Sequence, residues 1–196
     1  MAGSPSSPRL PKGLELSHIR SAVRYVEREI DELVEIYRDQ ANVFSGIVGI
    51  FGVRALDAIS PFKKHKHPDI AAQRFPDLSL GGKLNPQPDQ ALESKGSTRA
   101  WAIQSHYDHP GWYIVWRYMV DPTKTIKPGH EVVIWRVDVV RLERSDWKYE
   151  QSTAGAGGGG RTHTFGVKCP ATRLADCAAY SLDGIVIKGG KPILAG

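Results

Sequence analysis

Cysteine is nearly absent: only Cys169 and Cys177 occur in 196 residues, with no CxxC pair. Zinc coordination is therefore not indicated, and both thiols are expected to be reduced and buried in the core. No uninterrupted apolar run approaches the roughly 20 residues of a membrane span. With 41% hydrophobic and 24% charged residues, a soluble protein without a membrane partner is expected. The chain shows no P-loop, no G-x-G-x-x-G after a strand and no G-x-S-x-G, so nothing points to a small-molecule enzyme. The start MAGSPSSPRLPKG has no apolar h-region; the expectation is a disordered tail over residues 1–13, no secretory signal and a cytoplasmic location. Acidic residues are also outnumbered, 21 against 26 Lys and Arg, and the net charge of +5 suits a polyanion partner without identifying one.

What is present reads as helices followed by a sheet. Residues 14–196 are taken as a single domain, with a helical part over 14–60 and a sheet-containing part over 70–196. In SHIRSAVRYVEREIDELVEIYRDQ, Ile19, Val23, Val26, Ile30, Leu33, Val34 and Tyr37 recur at helical spacing. One long amphipathic helix is expected, capped by Ser17, with Arg20, Arg24, Glu27, Arg28, Asp31 and Glu35 on its solvated face. The following NVFSGIVGIFGVRALDAI is apolar almost all round. Gly46, Gly49 and Gly52 give it a smooth side suited to close helix packing, either in the core or against a second copy. After the break SPFKKHKHPD, the runs ALESKG, WAIQSHY, WYIVWRYMV and EVVIWRVDVVRL read as strands, with the five tryptophans expected mainly in core and sheet packing. A glycine-rich loop, a short helix and a final hairpin complete the expected order.

The stretch FPDLSLGGKLNPQPDQALESKGS, residues 75–97, carries the chemistry. Asp77 follows a proline, and 16 positions later Glu93 begins an E-x-K with Lys95. Residues two apart on a strand share a face, so Glu93 and Lys95 project together and a hairpin would bring Asp77 beside them. Two carboxylates with a main-chain carbonyl and waters suit Mg²⁺. An adjacent ammonium can orient or help deprotonate water and balance phosphate charge.

These residues resemble the PD-(D/E)xK nuclease superfamily, whose best-known members are type II restriction endonucleases; the resemblance covers about residues 70–140. It implies an α/β, restriction-endonuclease-like mixed sheet core flanked by helices, with an N-terminal helical segment. It further implies Asp77 and Glu93 as Mg²⁺ ligands, Lys95 as the catalytic lysine, double-stranded DNA as substrate and a homodimer cutting both strands. Asp89, in a second PD dipeptide, is the fallback for Asp77. Glu32 or Glu35 is a candidate further acid from the preceding helix, against the plain reading of a solvated face.

Candidate DNA contacts are Lys63, Lys64 and Lys66 in the basic break, and Arg99, Gln104, His106 and His109 in GSTRAWAIQSHYDHPG. Arg161 and His163 follow the glycine run and are further candidates. For the histidines and the basic run the alternative is a solvated loop, and for the glycine run a mere connector. Two other functions stay open: a structure-specific repair or junction nuclease, and a basic DNA-binding protein without catalysis.

Overall fold

Helix α1, Leu16–Ile30, begins at Glu15 rather than at Ser17. The Glu15 N–H donates to His18 Nδ1 at 3.2 Å while the Glu15 side chain accepts from the backbone of His18, a reciprocal cap; the Ser17 hydroxyl donates to Glu15 Oε2 instead. This computed structural model describes residues 8–71, 73–151 and 163–195. Within the expected disordered tail, residues 8–13 have a defined place: Leu10 packs on the core, Pro11 is buried and the Leu14 N–H donates to the Pro11 carbonyl.

The long helix is interrupted by a 3₁₀ turn, Asp31–Leu33, before α2, Val34–Asp39. Of the acids around this break, Glu35 is on the solvated face as expected, whereas Glu27 and Asp31 are turned toward the sheet. Glu27 is buried; its Oε1 accepts the Ile134 N–H at 3.0 Å and its Oε2 pairs with Lys127 at 2.5 Å. Asp31 Oδ1 accepts the N–H groups of Glu131 and Val132 at 2.7 and 2.8 Å. Carboxylates on this helix thus satisfy strand amides that would otherwise be left without partners. Its apolar face fills the core with Ile19, Val23, Val26 and Ile30, each contributing about 1.5–3 kcal/mol relative to exposure.

Helix α3 spans Ala41–Ile59, and its 19 residues are long and apolar enough to cross a membrane by length and composition alone. Here it lies on a sheet. The strands are β1 (Phe62–Lys63), β2 (Leu78–Leu80), β3 (Ala91–Ser97), β4 (Gln104–Ser105), β5 (Gly111–Val120), β6 (Val132–Leu142), β7 (Trp147–Gln151) and β8 (His163–Val167). Helix α4 (Pro170–Leu174) and strands β9 (Ala178–Ser181), β10 (Ile185–Lys188) and β11 (Lys191–Leu194) follow. The main sheet has the order β1-β2-β3-β5-β6-β9, with β3 and β5 parallel and all other neighbours antiparallel. This is the mixed α/β class expected.

Gly49 and Gly52 turn toward this sheet rather than toward another helix. An added methyl at Gly49 would lie 3.4 Å from the Gly96 nitrogen, and one at Gly52 would overlap the Trp116 indole. Gly96 on β3 has no room either, because a methyl there would overlap the Ser45 carbonyl oxygen of α3. Gly96→Ala is accordingly expected to cost about 1–3 kcal/mol, read as a lower urea midpoint at unchanged slope. Gly46 has open space beside it.

Helices α1 and α3 cover one face of the sheet through Phe44, Val48, Leu56, Trp116, Tyr118 and Ile134. The second face buries Tyr113, Val115, Val140 and Leu142 with Ile103, Trp147, Val167 and Leu174, carried by the three-stranded sheet β4-β8-β7, α4 and the loop before β4. Strands β5 and β6 are therefore covered on both sides, which is why their sequences are apolar without alternation. Of WAIQSHY only Gln104–Ser105 is strand.

Four tryptophans are buried; Trp101 is half-buried under the Arg136 guanidinium, 4.9 Å from its ring. The cysteines differ: Cys169 is exposed at a positive φ of 45°, not a core thiol, whereas Cys177 is half-buried against the second core with its thiol donating to the Arg173 carbonyl. Cys169 is the N-cap of α4, and Cys177 follows that helix. The short helix and final hairpin appear as α4 and β10-β11.

Candidate active site

Strand β2 pairs with β3 only at Leu78↔Leu92 and Ser79↔Ala91, and the ladder stops there. Just before β2, the Asp77 side chain takes over: its Oδ2 accepts the Ser94 N–H at 2.9 Å. In return Glu93 Oε2 accepts the Asp77 N–H at 3.1 Å. Lys95 Nζ lies 2.7 Å from Glu93 Oε1. The turn between the strands uses Gly81 and Gly82, both at φ +72°, a left-handed geometry that favours glycine. Asp77, Glu93 and Lys95 are thereby brought together at the end of one short ladder.

The back of β3 is fixed to α3. Ser94 Oγ donates to the Gly49 carbonyl at 2.9 Å and accepts the Trp116 indole N–H at 3.0 Å. With Ser94 held on the helix side, Glu93 and Lys95 project to the opposite one. Glu93 is 8% exposed, and its carboxyl titrates above the usual range, first through burial and second through the negative charge of Asp77; Lys95 opposes both.

The cluster lines a cavity of about 490 Å³, to which α3 contributes Ile50, Val53, Arg54 and Asp57 and the loops contribute Lys64, Phe75, Tyr107 and His109. A second cavity of about 360 Å³ shares Lys95 and Gly96 and continues along Ser97, Arg99 and Gln104. Tyr113, opposite Glu93 in the β3/β5 register, donates its hydroxyl to the His109 carbonyl at 2.9 Å; burial and nearby carboxylates raise its pKa, which keeps it neutral. Burial lowers the pKa of His109.

The candidate DNA contacts divide. Lys64 and His109 line the first cavity together with His106, while Arg99 and Gln104 line the second. Lys63 Nζ donates to the Asp57 carbonyl, Lys66 is exposed outside both cavities, and Arg161 lies outside the described residues. His163 also lines neither, since it pairs with the Tyr149 hydroxyl on the smaller sheet.

The fallback and the further acids lie elsewhere. Asp89 pairs with Arg141 at 3.0 Å on the surface, because a 3₁₀ turn, Pro88–Gln90, points it away from the ladder. Glu35 is engaged by Arg38, and Glu32 is exposed beside it; the 3₁₀ break at Asp31–Leu33 turns both from the cavity.

The acid that does reach the cavity from a helix is Asp57, which sequence reasoning missed. Its only signal was a carboxylate, with Arg54 one of two charges, inside a mostly apolar run; its Oδ1 accepts the Lys64 N–H at 2.7 Å. Phe75 was also missed, although it directly precedes the PD dipeptide. Among the described residues no group of three or more His, Cys, Asp and Glu side chains is arranged to hold a metal ion. The chain matches no protein-family model, no curated protein and no solved structure.

Proposed function

We propose that the chain is a Mg²⁺-dependent endonuclease that hydrolyses phosphodiester bonds in double-stranded DNA. The observation that carries this reading is the convergence of Asp77, Glu93 and Lys95 at the end of the β2/β3 ladder, on the wall of an open cavity. Two adjacent carboxylates, one of them buried and pushed toward its protonated form, are the donor chemistry that a hard divalent cation relieves. Asp77 and Glu93 would hold it with water completing the shell. When bound, Mg²⁺ supplies Lewis-acid polarisation of the phosphate and neutralises its charge.

The protein's own groups do the rest. Lys95, oriented by Glu93, presents an ammonium that stabilises charge growing on the phosphoryl oxygens and orients the attacking water. Arg54 and Lys64 add positive charge on the same cavity wall. Arg99 and Gln104 extend a polar path beyond Lys95 that suits a continuing backbone. Cutting both strands of a duplex calls for two copies, each contributing one cluster.

The direct test is incubation of purified protein with unmethylated phage DNA, with and without Mg²⁺. Discrete fragments that require Mg²⁺ support the reading; intact DNA under both conditions overturns it.

A linked prediction concerns pH. Glu93 holds its proton more firmly in the folded chain than in the unfolded one. The folded state therefore binds the extra proton between the two pKa values, and stability falls as pH rises through that window. Mg²⁺ competes with that proton. Added Mg²⁺ is expected to raise the melting temperature above the window and progressively less as pH falls through it. An equal Mg²⁺ shift in Asp77→Asn would show that these carboxylates are not what holds the ion.

A further inference from the structure

The endonuclease reading leaves part of the first cavity without a task. A phosphate needs cations and hydrogen-bond donors, yet much of the wall beside the cluster is aliphatic or aromatic. Helix α3 contributes Ile50, 59% exposed, and Val53. The loops contribute a run of three rings. Phe75 and His109 have centroids 4.5 Å apart with planes inclined by 32°, and His109 and Tyr107 follow at 5.2 Å and 32°. Tyr107 ends the run, 62% exposed, with no further ring against it among the described residues.

This ledge is held rather than loose. The Tyr113 hydroxyl fixes the His109 carbonyl at 2.9 Å, and the Tyr113 ring also lies 6.4 Å from Phe75. The cavity, at about 490 Å³, falls in the range that encloses a small organic group. Lys95, Arg54 and Lys64 share its lining with the rings, so one site offers charge for phosphates and flat apolar surface beside it. That combination is how nucleic-acid strands are gripped when a base has left the helix: cations follow the backbone while side-chain rings receive the base.

We propose that this cleft receives the base next to the scissile phosphate out of the stack, against Tyr107 and the Ile50 side chain. The preferred substrate is then DNA with an unpaired nucleotide at the cut position. The inference rests on the endonuclease reading for the position of the phosphate at Lys95. Extracting a paired base costs unstacking and unpairing, a cost that is smallest where the base is already unpaired. The second cavity, sharing Lys95 and Gly96, gives the strand a way onward past Arg99.

The test uses the full chain and two duplexes of identical sequence except that one carries a single bulged nucleotide. Binding is measured at fixed salt in Ca²⁺, a hard cation that takes oxygen ligands, with Mg²⁺ withheld. The bulged duplex is expected to bind about 5–150-fold more tightly, the range that stacking of one base supplies. Tyr107→Ala is expected to remove most of that preference. Ile50→Ser, at a second exposed position, is expected to weaken it in the same direction.

Equal affinity for the two duplexes, or a preference that survives both substitutions, overturns the inference. The two proposals fail separately. Lys95-dependent cleavage of paired DNA without any bulge preference leaves the endonuclease standing and sinks the cleft. A Tyr107-dependent preference with no cleavage in Mg²⁺ supports the cleft and removes the endonuclease.

Discussion

Lys95→Ala is expected to lower Mg²⁺-dependent DNA cleavage by about 10²–10³-fold, the loss typical of removing one preorganised group that meets developing charge. The side chain is only partly buried, 26% exposed, and its one ion-pair partner among the described residues is Glu93. Its removal takes away a charge without opening the core. Glu93 then loses the influence that opposes its raised pKa and is expected to hold its proton to still higher pH. Activity should therefore fall while the circular dichroism spectrum and the cooperative melt remain. Arginine at this position keeps the charge but not the compact ammonium, so Lys95→Arg should recover little. Cleavage at the wild-type rate by folded Lys95→Ala protein would sink the assigned role.

Asp138→Ala is expected to cost about 3–5 kcal/mol, a large share of the roughly 5–15 kcal/mol that holds a domain together. Asp138 is fully buried between two guanidinium groups, with Arg117 Nε at 2.8 Å from one carboxylate oxygen and Arg136 Nε at 2.5 Å from the other. Burial pushes the Arg117 pKa down and Asp138 opposes that, so the carboxylate is what makes an interior cation tolerable. Further donors reach backbone, Arg117 Nη1 to the carbonyls of Arg99 and Ala102 and Arg136 Nη2 to that of Leu174, whereas Arg117 Nη2 is buried without a hydrogen-bond partner. The network thus ties the loop after β3, which lines the second cavity, to the centre of the sheet. Asp138→Asn, which keeps the shape and removes the charge, separates the electrostatic part from the packing part. Urea unfolding reads both, and a loss under about 1 kcal/mol in Asp138→Ala would mean that the two cations find other partners.

The sheet was readable because β5 and β6 carry Val, Ile, Trp and Tyr in runs that only a doubly covered strand tolerates. The neighbourhood of Asp77, Glu93 and Lys95 was readable for a local reason: strand period fixes Glu93 and Lys95 on one side, and a glycine turn returns the chain upstream. What escaped depended on distant partners. Glu27 and Asp31 have the spacing of solvated helix acids, and only the amides of β6 make them interior groups. The glycines of α3 signal close packing equally well against a helix or a strand; Ser94 and Trp116 decide for the strand. Asp57 reaches the cavity by its place on α3, whereas Glu35 fails to because the 3₁₀ turn before it redirects α2.

The hydrogen bonds that Glu27 and Asp31 accept from the start of β6 and the residue before it have a consequence for how the chain is made. Their partners are Glu131, Val132 and Ile134, between 100 and 107 positions further along. As the polypeptide leaves the ribosome, α1 emerges about 100 residues ahead of β6, and Glu27 and Asp31 have no amide partners until that stretch has followed. Closing loops of that length before any contact rewards them is slow. Helix α1 can therefore pack on α3 early, but the buried carboxylate of Glu27 is satisfied only when β6 arrives.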